Sequence, residues 1–249
     1  MLKHERKKFI LNKLSSDQKV LIQDLCEDLQ VSDDTIRRDL KELSEIGLLE
    51  KVHGGALPKS PIPFEYTQRE DYAVKDKKII ATKAAKLIKH GQTILLDGGT
   101  TNLELVRALP EDLEITIFTN SFPLANELMH HPGIEAYFLG GKIDRKSRVA
   151  LGVEVIEALK GIRADLCMLG ICSIDHKAGV TMRSREEGAV KKAFMKSANK
   201  TIALSTSDKI GTAETYVLCD IGEVDVLITD NGLRNRVKAK FINRGVKVL

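Results

Sequence analysis

No stretch of this chain approaches the roughly 20 consecutive apolar residues that a membrane-spanning helix needs. The opening MLKHERKKFILNKL is basic, but its apolar residues alternate with charges. It lacks the continuous apolar segment and small-residue cleavage site of a signal peptide. The expectation is a soluble chain kept in the cytoplasm, with no membrane partner. Cysteine is scarce: Cys26, Cys167, Cys172 and Cys219 are the four present, and none forms a CxxC pair. Such spacing gives little support to a metal or a disulfide. Buried thiols in a reducing compartment are expected instead, with no metal and no cofactor. An excess of one charge sign is missing too. The net charge is +4 overall, but the first 60 residues carry eleven Lys and Arg against eleven Asp and Glu. A nucleic-acid partner must therefore be argued from where the cations lie, because total charge does not argue for it. Internal repeats and low-complexity segments are also absent.

The length of 249 residues suits two domains. Helical spacing marks HERKKFILNKL, broken at Ser15-Ser16-Asp17. It marks VLIQDLCEDL again, with Leu21, Ile22, Leu25 and Leu29 on one stripe. Ser32 is a good N-cap for a third helix reaching about Glu45, whose positive end suits Asp33 and Asp34. A β-prone run then meets the turn signal His53-Gly54-Gly55. Three helices and a small hairpin are the plan of a winged helix-turn-helix, assigned to residues 1–57. PKSPIPF holds three of the six prolines and predicts a stiff, extended linker over 58–75. Residues 76–249 alternate apolar, β-branched runs (TILLD, ITIFTN, IEAYFLGG, ADLCMLGI, TIALSTS, YVLCD, DVLITD) with helical stretches. Several of these runs are apolar throughout, which predicts strands buried on both faces of a mostly parallel sheet. The fold class is α/β, a small amino-terminal winged helix-turn-helix domain plus a larger α/β domain.

On a helical wheel Ile36, Leu40 and Leu43 fall within roughly 40° of one another and form the buried face. Arg38, Lys41 and Asp34 lie opposite, with Arg37 on the flank. In a helix-turn-helix the second helix enters the major groove, where Arg reads guanine and Arg or Lys holds phosphates. Ser32, Thr35, Arg37, Arg38 and Lys41 are thus candidate DNA contacts, joined by Lys51 and His53 on the wing. A solvated charged face is the plain alternative. Asp33, Asp34, Asp39 and Glu45 would repel phosphates if they faced DNA.

Ligands of open α/β sheets bind beyond the carboxyl ends of the strands. Asp97-Gly98-Gly99-Thr100-Thr101, Asn120-Ser121, Gly140-Gly141 and Lys209 occupy such positions, and Glu187 opens a helix. Glycines, hydroxyls, helix-start amides and a cation suit a small polyhydroxylated anion. Lys209 is placed as a phosphate or carbonyl partner, Asp97 or Glu187 as partners of sugar hydroxyls.

The segment from ERKKFILNKL to TIRRDL and HGGA resembles the DNA-binding domain of the DeoR family of bacterial transcription regulators. The resemblance runs on through PFEYTQRE, LLDGGTTNLELVRAL, LGICSID and SDKIG. It implies a double-stranded DNA operator as partner. It also implies a regulator, usually a repressor, that senses a phosphorylated sugar or related metabolite through a domain similar in fold to ribose-5-phosphate isomerase. A homo-oligomer, dimer or tetramer, would place two recognition helices one DNA turn apart. Thr206 stands where many members have Asp, and Gly188 where Ala is commoner. The rival readings are an isomerase-like enzyme acting on sugar phosphates and a winged helix that binds protein. A non-enzyme is expected, because an isomerase has no use for a winged helix.

Overall fold

The computed structural model describes residues 1–249. Helix α1 (Lys3–Asp17) turns Ile10 and Leu14 inward. It passes through Ser15 and Ser16, where a break was expected, and stops where Gln18 enters the left-handed region at φ 57°. Val20 and Leu21 then form β1 rather than the first turn of a helix, and Val20 pairs with Ala56. Helix α2 (Ile22–Leu29) and helix α3 (Asp33–Glu45) follow. Strands β2 (Glu50–Val52) and β3 (Gly55–Leu57) complete an antiparallel three-stranded wing, with β3 central. Gly54 turns the wing at φ +79°, and Gly55 must lack a side chain because a Cβ there would meet the Val20 carbonyl oxygen at 1.9 Å. The need for glycine at 55 is therefore internal packing. Ile10, Leu25, Ile36, Leu40 and Leu49 are wholly buried in this aliphatic core.

Residues 58–75 are less extended than their prolines suggest. Ser60 and Ile62 are buried against the larger body, and α4 (Tyr66–Asp71) follows. Its anchor is Tyr66, 1 % exposed, whose amide donates to the Lys146 carbonyl at 2.9 Å. The helix depends on that distant contact, which local composition does not reveal. The Ala213 amide likewise donates to the Pro58 carbonyl at 3.0 Å.

Helix α5 (Val74–Ala85) opens the larger body, followed by β4 (Thr93–Leu96), α6 (Thr100–Arg107), β5 (Ile115–Thr119), α7 (Phe122–Leu128) and β6 (Ile134–Phe138). A hairpin of β7 (Lys142–Asp144) and β8 (Val149–Leu151) precedes α8 (Val153–Lys160) and β9 (Ala164–Gly170). A second hairpin, β10 (Ser173–Asp175) and β11 (Gly179–Met182), leads to α9 (Arg185–Lys196) and β12 (Ala198–Leu204). Strands β13 (Tyr216–Cys219) and β14 (Val226–Ile228), helix α10 (Asn235–Ile242) and β15 (Lys247–Val248) end the chain. Seven strands make one parallel sheet in the order β15-β14-β12-β9-β4-β5-β6. YVLCD, read as another run of that rhythm, instead pairs antiparallel with β11 in a separate small sheet.

Both faces of the sheet are covered. Ile94, Leu96 and Met168 face α5, α6 and α7. Leu95, Cys167 and Leu169 face the opposite way, toward α8, α9 and α10. Neighbouring residues of one strand thus enter two apolar cores, which is why the runs show no polar alternation. All four cysteines are free thiols, and Cys167 and Cys219 are buried.

Candidate functional site

On α3 the apolar stripe Ile36, Leu40 and Leu43 is buried, leaving Arg37, Arg38 and Lys41 exposed. The Ser32 hydroxyl accepts the Thr35 amide at 3.4 Å and lies 2.9 Å from the Thr35 hydroxyl. These two side chains cap the helix start. Arg37 pairs with Asp33 one turn back, and Lys41 lies 3.8 Å from Glu45. Arg38 has no carboxylate partner and is the free cation of this face. Asp39 does not lie on the exposed face at all. It is 1 % exposed and its carboxylate accepts the Arg6 guanidinium, one oxygen at 3.1 Å. One of the four acids that would repel phosphates is therefore structural, tying α3 to α1. Lys51 and His53 are exposed on the wing.

The second site lies where the order of the parallel sheet reverses, between β4 and β9. From β4 the chain builds outward through β5 and β6, and from β9 outward through β12 and β14. Loops leaving the carboxyl ends of β4 and β9 part there and leave a crevice. It is a cavity of about 270 Å³. Gly98, Gly99, Thr100 and Thr101 form one wall. A Cβ on Gly98 would sit 2.2 Å from Val149 Cγ1, so only glycine lets this loop pass beneath β8. The amides of Gly98 through Asn102 find no acceptor within the protein, which leaves the positive end of the α6 dipole unsatisfied at the crevice.

Five cations line the cavity: Arg69, Lys146, Arg183, Lys191 and Lys209, against two acids, Asp144 and Glu187. Lys209 donates to the Ile171 carbonyl at 3.2 Å, and burial above all pushes its ammonium down to about 8. Lys77, behind it, donates to the Arg69 carbonyl and is likewise pushed down to about 8 by burial and then by Lys209. Burial raises the Glu187 carboxyl above the usual carboxylate range. Asp97 is 1 % exposed and does not line the cavity. Its carboxylate meets the Lys191 ammonium and accepts the Gly170 amide at 2.7 Å and Asn102 Nδ2 at 2.6 Å. It is occupied holding the floor together. Burial and the cations Arg69 and Lys209 push Lys191 down. Arg69 Nε is buried without any hydrogen-bond partner, which is costly for a cation unless an anion meets it.

The cavity's outer wall is Ile62, Pro63 and Phe64, together with Arg69 of α4. Arg183 holds this strap. Its guanidinium donates to the carbonyls of Ser60 at 2.7 Å and Ile62 at 2.8 Å and to Glu214 at 2.8 Å. It also lies 4.1 Å from the Phe64 ring centroid.

Of the residues proposed from sequence, Gly98, Gly99, Thr100, Thr101, Glu187 and Lys209 are brought to one cavity. Asn120, Ser121 and Gly141 are not, because the β7–β8 hairpin covers the ends of β5 and β6, and Gly140 lies exposed outside the cavity. Asn120 Nδ2 donates to the Ala150 carbonyl at 2.7 Å, Ser121 bridges Val149, and a Cβ on Gly141 would meet the Leu151 oxygen at 2.5 Å. Arg69, Lys146, Arg183 and Lys191 escaped the reading. The polar run MRSREEGAVKK, at the start of α9, was the available signal for Arg183 and Lys191.

A winged helix-turn-helix coupled through a packed strap to a cation-lined cavity is the layout of a ligand-controlled DNA-binding regulator. Residues 6–61 match the DeoR-like helix-turn-helix domain and residues 73–231 the DeoR C terminal sensor domain. The chain belongs to the DeoR family of transcription regulators. It is 34 % identical over its whole length to the HTH-type transcriptional repressor GlcR of Bacillus subtilis, covering 96 % of that protein. It is 33 % identical to the regulator GolR of Listeria innocua, covering all of this chain and 98 % of that one. It is 32 % identical to the regulator GlpR of Haloferax volcanii, again over all of this chain and 98 % of that one. Among solved structures, ribose 5-phosphate isomerase A of Methanocaldococcus jannaschii overlaps 54 % of this chain and 53 % of its own. Its TM-score is 0.40 at 19 % identity. No helix is long and apolar enough to cross a membrane.

Proposed function

We propose that the chain is a repressor that reads a double-stranded operator and is controlled by a phosphorylated sugar bound in the crevice between β4 and β9. Residues 1–57 read DNA: Arg38 reaches base edges or phosphates, Arg37 and Lys41 add phosphate contacts, Ser32 and Thr35 fix the helix start, and Lys51 and His53 flank the backbone. Residues 76–249 bind the effector, and 58–75 couple the two. The phosphate takes the amides of Gly98–Thr101 and the charges of Arg69 and Lys209, and Glu187 accepts from sugar hydroxyls. The protein works in the cytoplasm as a homo-oligomer and has no catalytic role.

One observation carries this reading. Five cations and the open start of α6 converge on a cavity whose outer wall is the segment leading to the DNA-reading helices. A ligand there meets the strap itself, so its affinity differs between strap positions, which is what linkage between two sites requires. The experiment is a thermal-shift series with a panel of sugar phosphates and their unphosphorylated sugars, followed by DNA binding with each stabilising compound. A phosphorylated sugar should raise the melting temperature and change DNA affinity, with the free sugar inert. Stabilisation by none of the phosphates, or turnover of one of them, refutes the proposal.

A further inference from the structure

The winged helix is formally neutral, so the protein's positive charge lies elsewhere. Residues 234–249 hold six Lys and Arg and no Asp or Glu. On α10, Val237 and Phe241 pack inward. Arg236 and Lys240 therefore share an outer stripe by their i, i+4 spacing, and Arg244 follows just past the end of the helix. Lys240 and Arg244 border a shallow depression without apolar lining, together with His176 and Lys177 at the tip of the β10–β11 hairpin. The same hairpin tip borders a cleft shared with Lys51 and His53 of the wing. One hairpin tip thus borders both the wing and α10, with cations on either side of it.

The nearby acids are already engaged. Asp175 holds His176 at 3.1 Å, Glu50 lies 3.6 Å from Lys59, and Glu214 is taken by Arg183 at 2.8 Å. Asp220 faces Arg244 at 3.2 Å. Lys51, Lys177 and Lys240 have no carboxylate within ion-pair distance. Unpaired cations in a row beside a DNA-reading wing match a polyanion whose charge continues past the groove being read.

We propose that the β10–β11 tip and the outer stripe of α10 form a second DNA-binding surface, holding backbone phosphates outside the bases read by α3. It rests on the DNA-binding reading above and adds contacts made by the sensor body. Non-specific binding serves as the test, because it is dominated by phosphates and needs no operator sequence. The full chain and its Lys177→Gln/Lys240→Gln/Arg244→Gln variant are titrated by fluorescence anisotropy across a salt series. The probes are random duplexes of about 12 and about 40 base pairs, roughly one turn and nearly four. On the long duplex the variant should lose about 2 to 3 from the slope of log affinity against log salt, near 0.9 for each phosphate lost. On the short duplex, which one winged helix fills, the slopes should agree. Equal slopes on the long duplex overturn the proposal. A wild-type chain that binds neither duplex overturns the DNA-binding reading and this surface with it. Lys177→Gln/Lys240→Gln spares the Arg244–Asp220 pair and should lose about 1 to 2 from the slope. It decides the matter if the triple variant melts early.

Discussion

Arg183→Ala should unfasten the strap and cost the fold heavily. The guanidinium makes three hydrogen bonds, to Glu214 and to the carbonyls of Ser60 and Ile62, and lies on the Phe64 ring. Glu214 is 4 % exposed. Removing its partner leaves a buried carboxylate uncompensated, a change that costs about 3–5 kcal/mol. For a chain of this size that lowers the melting temperature by about 6–20 °C. Removing both charges in Arg183→Met/Glu214→Gln should recover a large part of the loss, because the penalty is the orphaned charge more than the missing pair. Urea unfolding measures the energies, and limited proteolysis over 58–65 reports whether the strap has come loose. Arg183→Lys keeps the charge but cannot fork to two carbonyls, so it should fold and yet transmit effector binding to DNA poorly. A loss below about 1 kcal/mol for Arg183→Ala, with the strap still resistant to protease, would refute this account of what holds it.

Arg38→Ala should weaken duplex binding by about 1–3 kcal/mol, roughly 5- to 150-fold, with effector affinity unchanged. Lys209→Ala should weaken effector binding by about 1.5–3 kcal/mol and spare DNA binding in the absence of effector. Anisotropy and calorimetry separate the two variants. Arg6→Ala should destabilise the winged helix by about 3–5 kcal/mol, read by urea unfolding, because Asp39 stays buried without its cation. Effector affinity should hold steady from about pH 7 to about pH 8, above the second phosphate pKa of about 6, and fall above about pH 8 by at most tenfold per unit. Lys209 is held down to about 8 by burial in the free protein, and a bound anion raises it, so binding takes up a proton. By the same linkage, stability should rise from pH 8 toward 10, where an unfolded lysine still carries a proton the folded one has shed. Lys209→Met should flatten the affinity profile in calorimetry and remove only part of the stability rise in thermal melts, because burial also lowers Lys77 and Lys191.

The DNA-reading helix was legible because its signals are local. Ser32 caps it, Ile36, Leu40 and Leu43 mark its buried stripe, and Arg38 falls opposite. The parallel sheet was legible because Leu95 and Leu96 serve two cores at once, which writes an unbroken apolar run. Residues whose role depends on distant neighbours were not. Asp39 looked like a surface acid because Arg6 lies a helix away. Lys191 looked like another helix lysine because Asp97 is far off in the chain. Asn120 and Gly141 follow strands as expected, but the β7–β8 hairpin that covers them pairs only three residues on each strand and leaves little trace in the pattern. The helix α4 was hidden by the prolines just before it.

Because Ile62, Phe64 and Arg69 wall the crevice, an effector bound there as proposed would have its selectivity and the transmission of its arrival written in the same residues. A regulator built this way could not exchange reading heads freely. A chimaera that takes a foreign head as far as residue 72 would import another protein's ligand preference along with its operator. A junction ahead of Pro58 would keep the recipient's chemistry and leave the head alone to choose the gene.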